Sequence, residues 1–241
     1  MKISEIYKIL DELSPFNTQE SWDNSGLILS NDDSCERIYL SLDLDFNQVK
    51  SFLPNSLIIT HHPLIFKGIK SIKNDYAGNI LKELIKKNCA LISMHTNYDL
   101  SHLNRYFCEK FLGLEIIESD GFLAYAKNNF KDIYELADFL KAKLNLKNIS
   151  ISLAKEIIQT DLIGICTGSG ISLASELKSN IFLTGDIKYH DALALSENNI
   201  SLIDIKHYES EICFANSLAS NLQKLPIEII ISSSKNPFLE Y

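Results

Sequence analysis

Leu57-Ile58-Ile59-Thr60-His61-His62-Pro63 decides how this chain is read. The apolar run is too short for a helix, is rich in branched side chains, and stops on two histidines and a proline. Two further stretches repeat the form. Strand Ala90 to Met94 runs into His95-Thr96-Asn97-Tyr98-Asp99, and strand Ser201 to Ile205 runs into His207-Tyr208-Glu209-Ser210-Glu211. Side chains at the ends of short apolar strands are where α/β proteins build their sites. Four of the six histidines fall in these three stretches, which reads as metal chemistry.

Outward from this core the pattern alternates. On the N-terminal side the sequence predicts a helix from Ile3 to Leu13, a polar loop from Phe16 to Ser25 around Trp22, and a strand from Arg37 to Leu42. A connection through Phe46 to Phe52 leads to the Leu57 strand. Beyond it come a helix from Asn79 to Lys87 and another from Leu100 to Leu112, closed by Gly113. From Glu115 to Ile151 the register changes: a strand at Gly121 to Ala126, a helix at Ile133 to Leu144, a strand at Asn148 to Ala154. The alternation then resumes with strands Leu162 to Cys166, Ile181 to Leu183 and Ser201 to Ile205. Helices Ile171 to Leu177 and Tyr189 to Asn198 separate them. A helix from Glu211 to Leu225 and a strand from Ile227 to Ile231 end the chain.

Ile38 and Leu57 are 19 residues apart, as are Leu162 and Ile181, and a shift of 124 superposes the two pairs. Two readings stand: an internal duplication, or two α/β units alike only in composition. The expected fold is therefore α/β, with residues 1–115 as a first lobe completed by the C-terminal segment and 116–241 as a second. A site between similar lobes draws ligands from both.

Composition narrows the function. The net charge is −8 and no block of Lys and Arg stands out, which disfavours a nucleic-acid partner. A small anionic substrate remains compatible, because bound divalent ions reverse the local sign. The five cysteines show no CxxC pair and their number is odd, so reduced thiols in a cytoplasm are expected, not a disulfide framework. No apolar run reaches membrane-spanning length. The N-terminal periodicity carries charges throughout, unlike a signal peptide.

Each candidate residue has a plain reading beside the functional one. Adjacent side chains on a strand point to opposite faces, so His61 and His62 are either one packed and one exposed residue or ligands to two different ions. Asp99 is placed to cap a helix starting at Leu100, or to ligate beside His95. His207 and Glu211, four apart, share a helix face, a metal-binding geometry that also arises by chance. Gly168-Ser169-Gly170 is a tight strand-to-helix turn or an anion cradle. His190 lies four residues beyond Asp186 and so is expected near the same place.

Together these stretches resemble the YbgI-like (Nif-three-like) family of dinuclear metal proteins, often named GTP cyclohydrolase I type 2. The resemblance rests on Trp22-Asp23-Asn24-Ser25-Gly26-Leu27, Thr60-His61-His62-Pro63-Leu64-Ile65-Phe66, His95-Thr96-Asn97-Tyr98-Asp99, Gly168-Ser169-Gly170, Thr184-Gly185-Asp186 with Tyr189-His190-Asp191, and His207 to Glu211. These run in family order across almost the whole chain. The length is similar to the short form, without an inserted middle domain.

The resemblance implies two similar α/β lobes with a dinuclear metal site in the cleft. His61, His62, Asp99, His207 and Glu211 would be the ligands, with Glu211 bridging, and His95 and His190 would line the site. It also implies a homohexamer with the sites facing an internal cavity. Two divalent ions are expected, and the donor types suit zinc, iron, manganese, cobalt or nickel alike. Departures from the family pattern are Lys206 for a usual Gly, Tyr98 for a usual Leu, and His102-Leu103 in a stretch often rich in Gly. Lys206 is either a cation for substrate phosphate or a chain pointing outward.

The expected function is a metal-dependent hydrolase with His95 or His190 moving the proton; the resemblance implies GTP as its substrate, with attack on the guanine ring and release of formate. The alternative is a non-catalytic metal-binding, metal-delivery or regulatory protein.

Overall fold

The computed structural model describes residues 1–156, 158, 160–232 and 234–239. Its chain forms two compact units. The first is Met1–Ser101 with Phe214–Pro237, and the second is built on His102–Cys213.

In chain order the strands are β1 (Gly26–Leu29), β2 (Arg37–Ser41), β3 (Ser56–Thr60), β4 (Ala90–Ser93), β5 (Ile116–Asp120), β6 (Leu123–Lys127), β7 (Ser150–Ser152), β8 (Leu162–Ile165), β9 (Ile181–Thr184), β10 (Ser201–Asp204) and β11 (Glu228–Ile231). The first unit carries a five-stranded sheet in the order β1-β4-β3-β2-β11. Strands β11, β2, β3 and β4 are parallel, and β1 lies antiparallel on β4. Every residue of β3 and β4 is buried, which is why these segments read as unbroken apolar runs and not as alternation.

The second unit carries a six-stranded sheet, β5-β6-β8-β9-β10-β7. Strands β8, β9 and β10 are parallel, with β7 antiparallel on β10 and β6 antiparallel on β8. The two lobes therefore share a motif: three parallel strands, preceded in the chain by an edge strand that pairs antiparallel with the third. The spacing suggested by the 124-residue shift holds only in part. In β2–β3 the register partners are 19 apart (Ile38 with Leu57), but in β8–β9 they are 18 apart (Gly164 with Phe182).

Helices cover the sheets through simple periodic faces. Ile3–Leu13 forms the predicted helix, burying Ile3, Ile6 and Leu10 at helical spacing. Phe46–Ser51 is a helix, not the plain connection expected, because Asp45 and Gln48 form a reciprocal capping box. Asp75 and Asp132 cap the helices Tyr76–Lys86 and Ile133–Lys143. The stretch Ile171–Glu176 is a 3₁₀ helix, and the helix predicted over Glu211 to Leu225 is observed as Phe214–Leu222, preceded by a separate short helix His207–Glu211. Strands β1 and β5, also unforeseen, pair with β4 and β6.

The segment after β4 departs most from expectation. Thr96–Tyr98 is already helical, followed by wide π-type turns at Asp99–Leu103 and Phe107–Leu112, ending on Gly113 with φ +81°. Asp99 has φ −57° and ψ −49°. It lies within helical backbone, so it is not the cap of a helix beginning at Leu100. Widened turns inside helices are frequent at functional sites.

All five cysteines are buried, and none forms a disulfide. Among the described residues, no helix is long and apolar enough to cross a membrane.

Candidate metal centre

In the first unit the candidate residues arise at the carboxyl ends of β3 and β4. His61 and His62 lie just past Thr60, the last residue of β3. The alternation rule for strands therefore does not separate them, and their ring centroids are 4.9 Å apart. His95 follows β4, with its ring 5.1 Å from His61 and 5.3 Å from His62. One donor atom from each of these three histidines falls within 4.8 Å of the others.

Each imidazole is anchored through Nδ1. His61 Nδ1 donates to the Met94 carbonyl at 2.8 Å, His62 Nδ1 to Asp43 Oδ1 at 2.9 Å, and His95 Nδ1 to Asp23 Oδ1 at 2.7 Å. A hydrogen bond at Nδ1 fixes the ring and puts the basic lone pair on Nε2, the usual outer-shell arrangement for a metal-ligating histidine. His61 is fully buried, and its Nε2 faces Asp99 Oδ1 at 3.4 Å. A carbonyl only accepts, so Nδ1 keeps its proton. Nε2 and the carboxylate then oppose each other as two acceptors unless a proton or a cation lies there.

The second unit repeats the device. His207 opens the short helix after β10, one turn before Glu211. Its Nδ1 donates to Asp186 Oδ2 at 2.7 Å, and its Nε2 lies 3.0 Å from Glu211 Oε2. Asp186 takes φ +54°, a left-handed conformation that Asp tolerates better than most residues. Gly168 packs against the other face of Glu211: a Cβ there would stand 2.0 Å from Glu211 Oε1, and φ is +63°. Only glycine leaves room for the carboxylate, whose side chain is 4 % exposed. Gly168 N donates to Ser210 Oγ and Gly170 N to Thr184 Oγ1. Two amides of the Gly-Ser-Gly loop are thus already bonded, and this favours the tight-turn reading over an anion cradle.

Asp23 is the most strongly perturbed group near these histidines. Burial works against its charge, but hydrogen bonds from His95 and from Thr96 outweigh it and hold the carboxyl far below the usual range. Sequence reading gave it no role, nor did it single out Asp43. Both are carboxylates in loops, where pattern alone does not mark a partner.

The other candidates divide. His190 is exposed at the start of Tyr189–Glu197, with its ring 5.2 Å from Tyr189. Among the described residues no hydrogen bond or ion pair joins it to Asp186 or His207. Lys206 turns its amino group to Asp204 Oδ2 at 2.8 Å, and its backbone sits at φ +62°, ψ 150°, a region that is essentially reserved for glycine. Tyr98 is fully buried, its hydroxyl 2.9 Å from Ser217 Oγ and accepting from Asn221 Nδ2 at 3.3 Å. The larger side chain is thus accommodated by two polar partners.

The donor set fits a metal. Imidazoles with fixed tautomers and carboxylates facing Nε2 are what borderline divalent ions take. Residues 1–237 match the family model Duf34/NIF3 (NGG1p interacting factor 3). The GTP cyclohydrolase 1 type 2 homolog of Campylobacter jejuni subsp. jejuni is 54 % identical over 241 residues, covering 99 % of each chain. GTP cyclohydrolase 1 type 2 of Helicobacter pylori is 40 % identical over 238 residues, covering 98 % of this chain and 97 % of that one. Among solved structures, Staphylococcus aureus hypothetical protein SA1388 superposes with a TM-score of 0.87 at 28 % identity, over 100 % of this chain and 99 % of that one. The chain belongs to the Duf34/NIF3 family.

Proposed function

We propose that this protein is a two-metal hydrolase of the GTP cyclohydrolase type. His61, His62, Asp99, His207 and Glu211 would hold the metal, with Glu211 the ligand shared between two ions. The observation that carries the reading is the common anchoring of four imidazoles through Nδ1, two of them with Nε2 facing a carboxylate. The names of the Campylobacter and Helicobacter relatives support GTP as substrate.

Divalent ions held there supply an activated water and polarise the bond under attack. The chain's own residues do the rest. Asp23 fixes the tautomer and plane of His95, so Nε2 is the nitrogen that exchanges a proton with the guanine ring. Asp43 and Asp186 hold His62 and His207 in the same way. His190, whose place nothing ties to these groups, is the weaker candidate for proton transfer. A homohexamer is the proposed assembly, checked by light scattering of the purified protein.

The deciding experiment is formate release from GTP by metal-reconstituted protein beside Glu211→Ala, with metal content measured on both. Metal-dependent formate lost in the variant supports the hydrolase. Two bound ions without turnover move the reading to a non-catalytic metal-binding or delivery protein, and absence of bound metal removes both.

A further inference from the structure

Trp22, the only tryptophan, is 55 % exposed, and Phe66 is 42 % exposed. Their ring centroids are 5.7 Å apart at 35°. Both rings meet His95 edge-on, at 6.0 Å and 75° for Trp22 and at 6.2 Å and 68° for Phe66. Neither ring is core, and a single exposed aromatic would need no explanation. Here two adjoin one another and the same catalytic candidate.

The backbone beneath them is unusually fixed for a surface loop. The Asp23 carboxylate, fully buried, accepts from Asn24 N, Ser25 Oγ, His95 Nδ1, Thr96 N and Thr96 Oγ1. Asn24 Nδ2 donates to the Ile65 carbonyl at 2.5 Å, which ties the Trp22 loop to the Phe66 loop. Gln19 clamps the far side: its Oε1 accepts from Ser25 N and its Nε2 donates to the Phe16 and Ser25 carbonyls. Two exposed rings are thus held at a set spacing by partly buried polar contacts. Rings already held in place lose little entropy when a planar ligand arrives.

We infer that Trp22 and Phe66 form a stacking platform for the planar ring of a purine nucleotide, holding that ring beside His95. This rests on the proposed function for the identity of the ring, but binding does not require turnover. Aromatic side chains stack on nucleobases without sequence-specific hydrogen bonds, so the platform sets substrate class and His95 reads the ring edge. The acidic net charge argues for a small nucleotide and against a nucleic-acid strand.

Trp22 reports directly on the proposal. Guanosine monophosphate should quench its emission saturably, and ribose 5-phosphate should not. Phe66→Leu, which keeps the reporter, should weaken guanosine monophosphate binding about tenfold, since stacking contributes that much or more per base. Trp22→Leu, followed by equilibrium dialysis, should do the same. Both positions are exposed, and unchanged melting curves will show that the variants fold. In formate assays the two variants should raise KM with kcat little changed.

Quenching with loss of affinity in the variants but no formate upholds the platform and sinks the hydrolase. Formate release with unaltered KM in both variants upholds the hydrolase and overturns the platform. Absence of saturable quenching by guanosine monophosphate, or equal quenching by ribose 5-phosphate, also overturns it.

Discussion

Gly168→Ala tests the packing behind Glu211. The added Cβ would stand 2.0 Å from Glu211 Oε1, 3.0 Å from its Cδ and 3.5 Å from His207 Nε2. Ordinary non-bonded separation is about 3.5 Å, so the carboxylate must retreat by about 1.5 Å. Its side chain is only 4 % exposed, so the shift is not a free swing into solvent. Two costs combine. An L-residue in the left-handed region costs about 1–2 kcal/mol, and overpacking adds about 1–3 kcal/mol. Gly121→Ala separates them, because Gly121 has φ +56° with nothing within 4 Å of its added Cβ. At about 2–4 °C per kcal/mol, Gly121→Ala should lower Tm by about 2–8 °C, and Gly168→Ala by up to about 20 °C. If Glu211 ligates as proposed, the larger effect should be on metal: carboxylate–metal bonds are about 2.0–2.2 Å long, so a displacement of about 1.5 Å would take Glu211 out of reach of the ion. Metal content measured by plasma mass spectrometry should stay full in Gly121→Ala and fall in Gly168→Ala. The reasoning is refuted if Gly168→Ala keeps its metal and melts with Gly121→Ala.

Three further predictions concern the interior. Tyr98→Phe removes the hydroxyl that meets Ser217 and Asn221 in the first unit; denaturant unfolding should show a loss of about 1–3 kcal/mol, and an unchanged midpoint would mean that the contact contributes nothing. Burial pushes the Cys213 thiol up to about 12 and drives Cys108 higher still. Neither is thiolate near neutral pH, so alkylation should be slow in native protein and label five thiols after unfolding. Burial holds His102 below its ordinary value, so the unfolded chain takes up this proton first. Its stability contribution is complete above about pH 6.5 and is lost as pH falls through the lower folded value. In metal-free protein, His102→Gln should lose stability less steeply on acidification than the wild type; parallel curves would count against a half-buried, neutral imidazole.

Much of this architecture was legible because it is written in local periodicity. The runs Ile38-Tyr39-Leu40 and Leu57-Ile58-Ile59 are buried on both faces of a parallel sheet, and such strands announce themselves as apolar stretches. The helix Ile3–Leu13 was legible from its buried spacing. Less legible was Phe46–Ser51, whose helix depends on a capping box more than on an apolar stripe. The sequence left Asp99 open between cap and ligand, because the pattern does not reveal that helical turns begin at Thr96 and widen at Asp99, which removes the capping role.

The sequence alone determined that His61, His62, His95 and His207 stand just past strand ends, and that Glu211 lies one turn beyond His207. These positions depend only on strand length and helical pitch. Tertiary structure decided what holds them. Asp23 reaches His95 across 72 residues, Asp43 reaches His62 across 19, and Asp186 reaches His207 across 21. It also decided that Gly168 must stay bare beside Glu211. Such pairings follow from strand order and register, and a hydrogen bond between remote loops leaves no period in the chain for a reader to find.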